Sequence, residues 1–194
     1  MASIYDAQEA EYLRILKALK PDESKIVINA LKNIENTERV DPSTPNNLVD
    51  ALAGRTFSRQ ERLQLEMKSL VRYFQRRREL LQGALTASEV AELLGASRQT
   101  PHDRVKGQTL LGLLDNGVLR FPMWQFDPES PNGVIDGLPE TLKALNFSDF
   151  AKLNWLVRPS PFLDQLTPVE ALRQGQKEQV IQEATFIYFS SPWA

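Results

Sequence analysis

The sequence of 194 residues contains no cysteine and a single histidine, His102. The lack of cysteine excludes disulfides, thiolate metal sites and cysteine nucleophiles, and one histidine cannot build a multi-histidine metal site. The nine glycines are scattered and form no phosphate-binding loop. One histidine is also a poor basis for a catalytic triad. We therefore expect no metal, no cofactor and no enzymatic activity.

Long apolar runs are also missing. None approaches the roughly 18 residues that a membrane span needs. The first residues carry Asp6, Glu9 and Glu11 in place of the basic segment and apolar core of a secretory signal. We expect a cytoplasmic protein that does not contact a membrane.

The net charge of -2 conceals a strongly uneven distribution. Residues 1–54 hold 6 basic and 9 acidic side chains, residues 55–120 hold 12 and 7, and residues 121–194 hold 5 and 9. The corresponding net charges are -3, +5 and -4. A cationic segment between two acidic ones indicates segments with different partners, although the total charge is close to neutral.

The first 54 residues show the pattern of a small helical unit. One apolar stripe stops before Pro21, and a second runs over residues 26–34. The turn-rich stretch 41–47 then indicates a linker. We predict a helical segment over residues 1–54, whose role the sequence leaves open.

A long basic helix is predicted after Ser58. Apolar residues recur there at spacings of three, four or seven, and Gly83 stands where a left-handed cap would end the helix. Such a run of charge is ordinarily the solvated face of a surface helix. The alternative is contact with DNA phosphates, for which Arg76 and Arg77 are candidates.

Two short helices joined by a glycine turn are predicted next. Thr86 and Glu89 form a capping box at the start of the first helix. Gly95 ends it, and Ser97 is placed to cap a second helix over residues 98–106. This spacing is typical of a helix-turn-helix.

The second helix carries side chains that suit DNA reading. Arginine and glutamine near its start fit guanine and adenine edges, threonine fits a phosphate or a thymine methyl, and the later cations fit the phosphate backbone. The candidate DNA contacts are Arg98, Gln99, Thr100, His102, Arg104 and Lys106. Pro101 lies about one turn into this helix and is expected to shift the residue at which it starts.

A β-hairpin is predicted directly behind this helix. Apolar residues flank Asn116 and Gly117, which is the strongest short-range signal for a hairpin. The hairpin would form a wing, with Arg120 as a further candidate for a phosphate contact. Residues 93–100 followed by 120–127 resemble the small winged helix-turn-helix of the MerR and excisionase type. The resemblance implies double-stranded DNA as a partner, and paired half-sites would require a homodimer.

The C-terminal segment has the pattern of several short helices after a loop rich in proline and glycine. Thr167 as N-cap, Pro168 at the first helical position and Glu170 form a clear helix start, and Gly175 ends that helix. We predict a small helical domain over residues 138–194, following a basic helix and winged unit over 55–127.

Residues 138–187 resemble the toxin-binding domain of the Xre/MbcA/ParS antitoxin family. The matching features are a tryptophan–leucine pair, a proline-rich bend, the pattern Leu-Thr-Pro-x-Glu-Ala-Leu-Arg-x-Gly and a valine-bearing last helix. Two points depart from the family. Asp164 and Gln165 stand where small glycine-rich residues are usual, and the first 80 residues match no part of it.

This resemblance implies an antitoxin that represses its own operon and neutralises a cognate toxin through its C-terminal domain. Family toxins often have the RES fold and act on NAD. The aromatic end of the chain adds interface anchors, although such a tail also packs on its own domain or on a second copy. The candidate partner contacts are Trp155, Pro168, Glu170, Arg173, Tyr188 and Trp193.

The expected fold is therefore mainly α: a helical N-terminal unit, a central helix-turn-helix with a short β-hairpin wing, and a small helical C-terminal domain. The expected function is that of a DNA-binding, antitoxin-like repressor. Two alternatives remain. One is a winged-helix transcription factor whose C-terminal domain dimerises or senses a signal. The other is a structural or assembly protein that keeps the winged-helix fold without binding DNA.

Overall fold

The computed structural model describes residues 17, 19–21, 23–29 and 59–190, with only the backbone described for 59, 60, 62, 63 and 188–190. The chain divides into two compact units, Met1–Arg76 and Arg77–Ala194. In the first unit, residues 23–29 are helical, as the apolar stripe predicts, and Val27 and Phe74 are buried. The rest of the predicted 1–54 segment, including the linker at 41–47, lies outside the described residues.

The described residues are mainly helical with one small antiparallel sheet, which confirms the predicted fold class. The elements in chain order are α1 (Arg59–Leu80), β1 (Leu85–Thr86), α2 (Ala87–Leu93), α3 (Thr100–Lys106), β2 (Leu113–Asp115), β3 (Val118–Phe121), a 3-10 turn (Met123–Gln125), α4 (Leu138–Ala144), α5 (Asp149–Leu156), a second 3-10 turn (Pro161–Leu163), α6 (Pro168–Arg173) and α7 (Lys177–Ser190).

The sheet has the strand order β1-β3-β2, so β3 lies in the centre. Leu85 pairs with Phe121 across β1 and β3, and Leu113 pairs with Arg120 across β2 and β3. The hairpin between β2 and β3 turns at Asn116 and Gly117, whose φ angles are 51° and 77°. Two consecutive left-handed residues are what a type I′ hairpin turn requires, which explains why Asn-Gly signals it. The predicted wing is confirmed.

The start of α2 follows the sequence closely. The Thr86 hydroxyl accepts from the backbone N–H of Glu89, and the Glu89 carboxylate accepts in return from the backbone N–H of Thr86 at 2.7 Å. These bonds satisfy N–H groups that a helix end leaves unpaired. The predicted capping box is confirmed.

The start of α3 differs from the sequence prediction. The helix begins at Thr100 instead of residue 98, with Gln99 in the N-cap position and Pro101 in the first turn. The Ser97 hydroxyl lies 3.0 Å from that of Thr100 and does not cap the helix. Proline lacks an N–H and fits only the first turn, so it moves the helix start two residues along the chain. The expected shift is therefore present, and Ser97 as N-cap is wrong.

One hydrophobic core joins the winged unit to the C-terminal helices. Val90 and Phe121 belong to the same buried cluster as Leu153 and Val180. The expected division between residues 127 and 138 is therefore absent from the structure, since apolar side chains from both segments pack together. Residues 77–194 form a single unit.

Buried polar side chains make further contacts within each of these segments. Gln125 is fully buried, and its amide bonds to both the N–H and the carbonyl of Leu111 and to the carbonyl of Pro122. The buried ammonium of Lys152 donates to the Leu142 carbonyl at 2.9 Å, and burial lowers its pKa. These contacts hold the turn after the wing and helix α5 in fixed positions, because a buried polar group is costly when it lacks partners.

Candidate nucleic-acid interface

Three polar side chains in and just before α3 make no hydrogen bond or ion pair with the rest of the described chain. Arg98 lies in the turn before the helix, and His102 and Lys106 lie within it, each four residues from the next. All three are exposed, and none makes a hydrogen bond or an ion pair with another described residue. Helical residues four apart are neighbours on one side, so His102 and Lys106 share one side of α3.

Gln99 and Thr100 lie at the same end of the helix but already have partners. The Gln99 amide donates to the Asp103 carboxylate at 3.0 Å, and the Thr100 hydroxyl lies 3.0 Å from that of Ser97. Gln99 is exposed, and its contact is local. Reading a base with Gln99 would require this amide to leave Asp103.

Arg104 is placed differently from the phosphate contact that the sequence predicts. Its guanidinium donates to the Asn132 carbonyl at 3.0 Å and to the Thr109 hydroxyl at 3.4 Å. The side chain is half-buried, and burial lowers the pKa of the guanidinium. Arg104 therefore connects α3 to the loop before α4.

Arg77 also points into the protein fold. It hydrogen-bonds the Leu114 carbonyl, and its Nε lies 3.9 Å from the Asp115 carboxylate. The guanidinium thus holds the wing against the end of α1. Arg76 is half-buried and already has an interaction partner in the chain. The sequence predicts that both side chains are exposed to solvent and contact DNA phosphates, and neither side chain has that placement.

Arg120 is half-buried in the central strand β3. The pKa of Glu89 is lowered chiefly by hydrogen bonds from the backbone and side chain of Thr86, and the charge of Arg120 lowers it further. Arg120 is therefore close enough to Glu89 for its positive charge to be partly balanced.

The tip of the wing carries no basic side chain. Its residues are Asp115, Asn116 and Gly117, flanked by Leu114 and Val118, which are 60% and 44% exposed. A cationic wing could have reached a phosphate, whereas this one is acidic and apolar. The positive part of the candidate interface is consequently the side of α3 that carries Arg98 and Lys106.

The predicted partner contacts mostly have structural roles. Trp155 packs against the core, and Pro168 is buried at the start of α6. The carboxylate of Glu170 caps α6, and hydrogen bonds from the backbone and side chain of Thr167 lower its pKa. Arg173 is exposed, but it donates to the Trp124 carbonyl at 2.9 Å. The side chain of Tyr188 and all of Trp193 lie outside the described residues.

Two exposed phenylalanines in the C-terminal helices are missing from those predictions. Phe162 in the second 3-10 turn is 77% exposed, and Phe186 on α7 is 61% exposed. The only signal for Phe162 in the sequence is its place between Pro161 and Leu163, within the proline-rich bend. Phe186 belongs to the aromatic tail, where periodicity does not separate core from surface positions.

The described residues contain no group of three histidine, aspartate or glutamate side chains that could hold a metal ion. Over the same residues, no helix combines the length and the apolar character needed to cross a bilayer.

No protein-family model matches this sequence, and no curated protein matches it. Among solved structures, the chain is similar to one described as the NMR structure of Rv2175c. The similarity covers 54% of this chain and 80% of that chain, with 25% sequence identity and a TM-score of 0.46.

Proposed function

We propose that this protein binds double-stranded DNA through its helix-turn-helix, with α3 entering the major groove. The observation that carries the proposal is the pair of exposed cations at the two ends of α3, Arg98 in the turn before it and Lys106 in its last turn, with a β-hairpin following. A helix-turn-helix places the start of its second helix against base edges. Arg98, two residues before that start, would contact a guanine or a nearby phosphate.

The arginines that hydrogen-bond within the protein support the proposal in a different way. Arg77 and Arg104 stabilise the wing and the loop before α4, so the surface of α3 stays in one orientation. A rigid support is required, because base readout depends on placing side chains within a fraction of an ångström. Arg98, His102 and Lys106 would contact DNA, and Arg77 and Arg104 would position the helix.

The experiment is a fluorescence anisotropy titration with duplex DNA from upstream of the protein's own gene, at several salt concentrations. We expect affinity to fall steeply with salt, because each phosphate contact releases counterions. Arg98→Gln should weaken binding by about tenfold, which corresponds to one good base or phosphate contact. The matched control is Arg158→Gln, because Arg158 is also exposed but lies beyond α5. Absence of binding at low salt would contradict the proposal and favour the structural or assembly protein.

We also propose that the C-terminal helices bind a protein, as expected of an antitoxin-like repressor. The specific observation is the exposure of Phe162 and Phe186, since aromatic side chains are favoured anchors of protein interfaces. Phe162 lies within the segment that resembles the toxin-binding domain.

Co-expression with the product of the adjacent gene tests this second proposal. We expect a complex that survives purification and that Phe162→Ala weakens, while Arg98→Gln leaves it intact. DNA binding without any such complex would favour the plain transcription factor. Light scattering on the same samples measures whether the protein is a homodimer, which paired half-sites require.

A further inference from the structure

We propose that a cavity beside α3 binds a small organic anion, a carboxylate attached to an aromatic or branched alkyl group. The cavity has a volume of about 340 Å³ and lies between the ends of α2 and α3 and the loop that follows the wing. This volume is at the small end of the range for ligand pockets, about 300–1,000 Å³. It suits a compact ligand.

The charged residue in the cavity lining is Arg104. Its hydrogen-bond partners are a carbonyl and a hydroxyl, from Asn132 and Thr109, and it forms no ion pair with a carboxylate in the described part of the chain. Lys177 differs, since its ammonium lies within 3.3 Å of both Asp136 and Glu140. A half-buried cation without a counter-charge favours an anion, because part of its hydration has been lost.

The rest of the lining combines apolar side chains with the polar residues Thr100, Ser130 and Asn132. Leu93 and Leu94 contribute from the end of α2, and Phe126 and Pro131 contribute from the opposite loop. Leu93 remains exposed to solvent. Burying such surface stabilises a complex in proportion to the area covered, so a ligand with an apolar body gains more than a bare anion.

A second cavity, of about 360 Å³, adjoins the first one and also includes Arg104. Its lining contains Lys143 as well as Asp136 and Glu140, whose carboxylates pair with Lys177. The described lining of the first cavity contains no acidic residue, so an anion meets less repulsion there.

The test is a titration of the full-length protein followed by amide NMR, with benzoate as the probe. Benzamide is the neutral comparison of nearly the same shape, and inorganic phosphate is the anion without an apolar body. We expect saturable shifts at Thr100 and Gly133 with benzoate, with a dissociation constant on the order of millimolar for so small a ligand. Benzamide and phosphate should each bind at least about tenfold more weakly.

Two variants locate the site. Arg104→Gln removes the charge, and Ser130→Phe keeps Arg104 but fills the space, because Ser130 lines the cavity. Both should abolish the benzoate shifts while keeping a dispersed spectrum, and Arg98→Gln should leave them unchanged. Equal affinity for benzamide, or no shifts with benzoate in the wild-type protein, would overturn the proposal.

A DNA titration distinguishes this ligand from a DNA phosphate. If benzoate does not bind and Arg104→Gln weakens DNA binding as much as Arg98→Gln does, the anion at Arg104 is a phosphate of DNA and the cavity proposal is wrong. The benzoate experiment needs no DNA, so it can succeed or fail independently of the proposed DNA binding.

Discussion

The basic side chains of the helix-turn-helix differ from those of the C-terminal helices. Arg98, just before α3, and Lys106, at its end, are exposed, and their side chains make no hydrogen bond or ion pair with the rest of the described chain. In the C-terminal helices, the buried Lys152 donates to the Leu142 carbonyl, and Arg173 donates to the Trp124 carbonyl. Lys177 forms ion pairs with carboxylates. Counting charges in the sequence does not separate the two groups, because a cation that holds the fold together is not available to a phosphate.

The two regions nevertheless share one core. The buried cluster around Leu153 and the bond from Arg173 to the Trp124 carbonyl connect the winged unit to the helices that follow it. We therefore expect the two regions to gain and lose stability together.

The largest effect is expected from Leu153→Ala. Leu153 is fully buried in α5, and truncating such a leucine costs about 2–5 kcal/mol. Urea unfolding followed by NMR should show α3 and α5 losing structure in one shifted transition. Leu114→Ala is the control, because Leu114 is exposed on the wing. Separate transitions for the two helices would contradict the shared core.

A second, smaller effect is expected from Gln125→Leu. The change removes three hydrogen bonds and leaves the buried N–H of Leu111 without its partner, which costs about 1–3 kcal/mol. The urea midpoint measures the loss, with Gln174→Leu as an exposed control of the same chemistry. If the two variants were equally stable, the buried hydrogen bonds of Gln125 would not stabilise the unit that the two regions share.

The smallest effect concerns pH. Hydrogen bonds from Thr167 lower the pKa of Glu170 in the folded protein, so its contribution is present above the unfolded pKa of about 4.3 and is lost as pH falls through the folded pKa. Glu170→Gln keeps a capping side chain that does not titrate. The decrease in the urea midpoint between about pH 6 and pH 3 should be shallower in this variant. A decrease identical to that of the wild type would show that the cap does not contribute to acid sensitivity.

Local features of the fold were predictable from the sequence. Both capping boxes and the Asn116-Gly117 turn depend on residues three positions apart or fewer, and each is present. Asp164 and Gln165 are different, since both adopt left-handed φ angles, 54° and 65°. Residues other than glycine, asparagine and aspartate seldom adopt this conformation, so Gln165 itself does not predict it; the sign in the sequence is that the resembling family has glycine-rich residues at these positions.

The candidate site was only partly predictable. The position of α3 and the identity of its polar residues follow from local pattern. The partners of Arg77 and Arg104 lie 38 and 28 residues away, at Asp115 and Asn132. The periodicity of a sequence predicts local structure and does not predict contacts between such distant residues. The core shared by the winged unit and the C-terminal helices could not be predicted for the same reason.

The central claim is that the exposed cations of α3 bind DNA. The most direct test compares two double variants that remove the same charge, Arg98→Gln with Lys106→Gln and Lys143→Gln with Arg158→Gln. All four residues are exposed, but the second pair belongs to the C-terminal region. In anisotropy titrations over a range of salt, the α3 pair should weaken binding by about a hundredfold and reduce the salt slope by about two, whereas the other pair should change little. Equal losses in both variants would contradict the account.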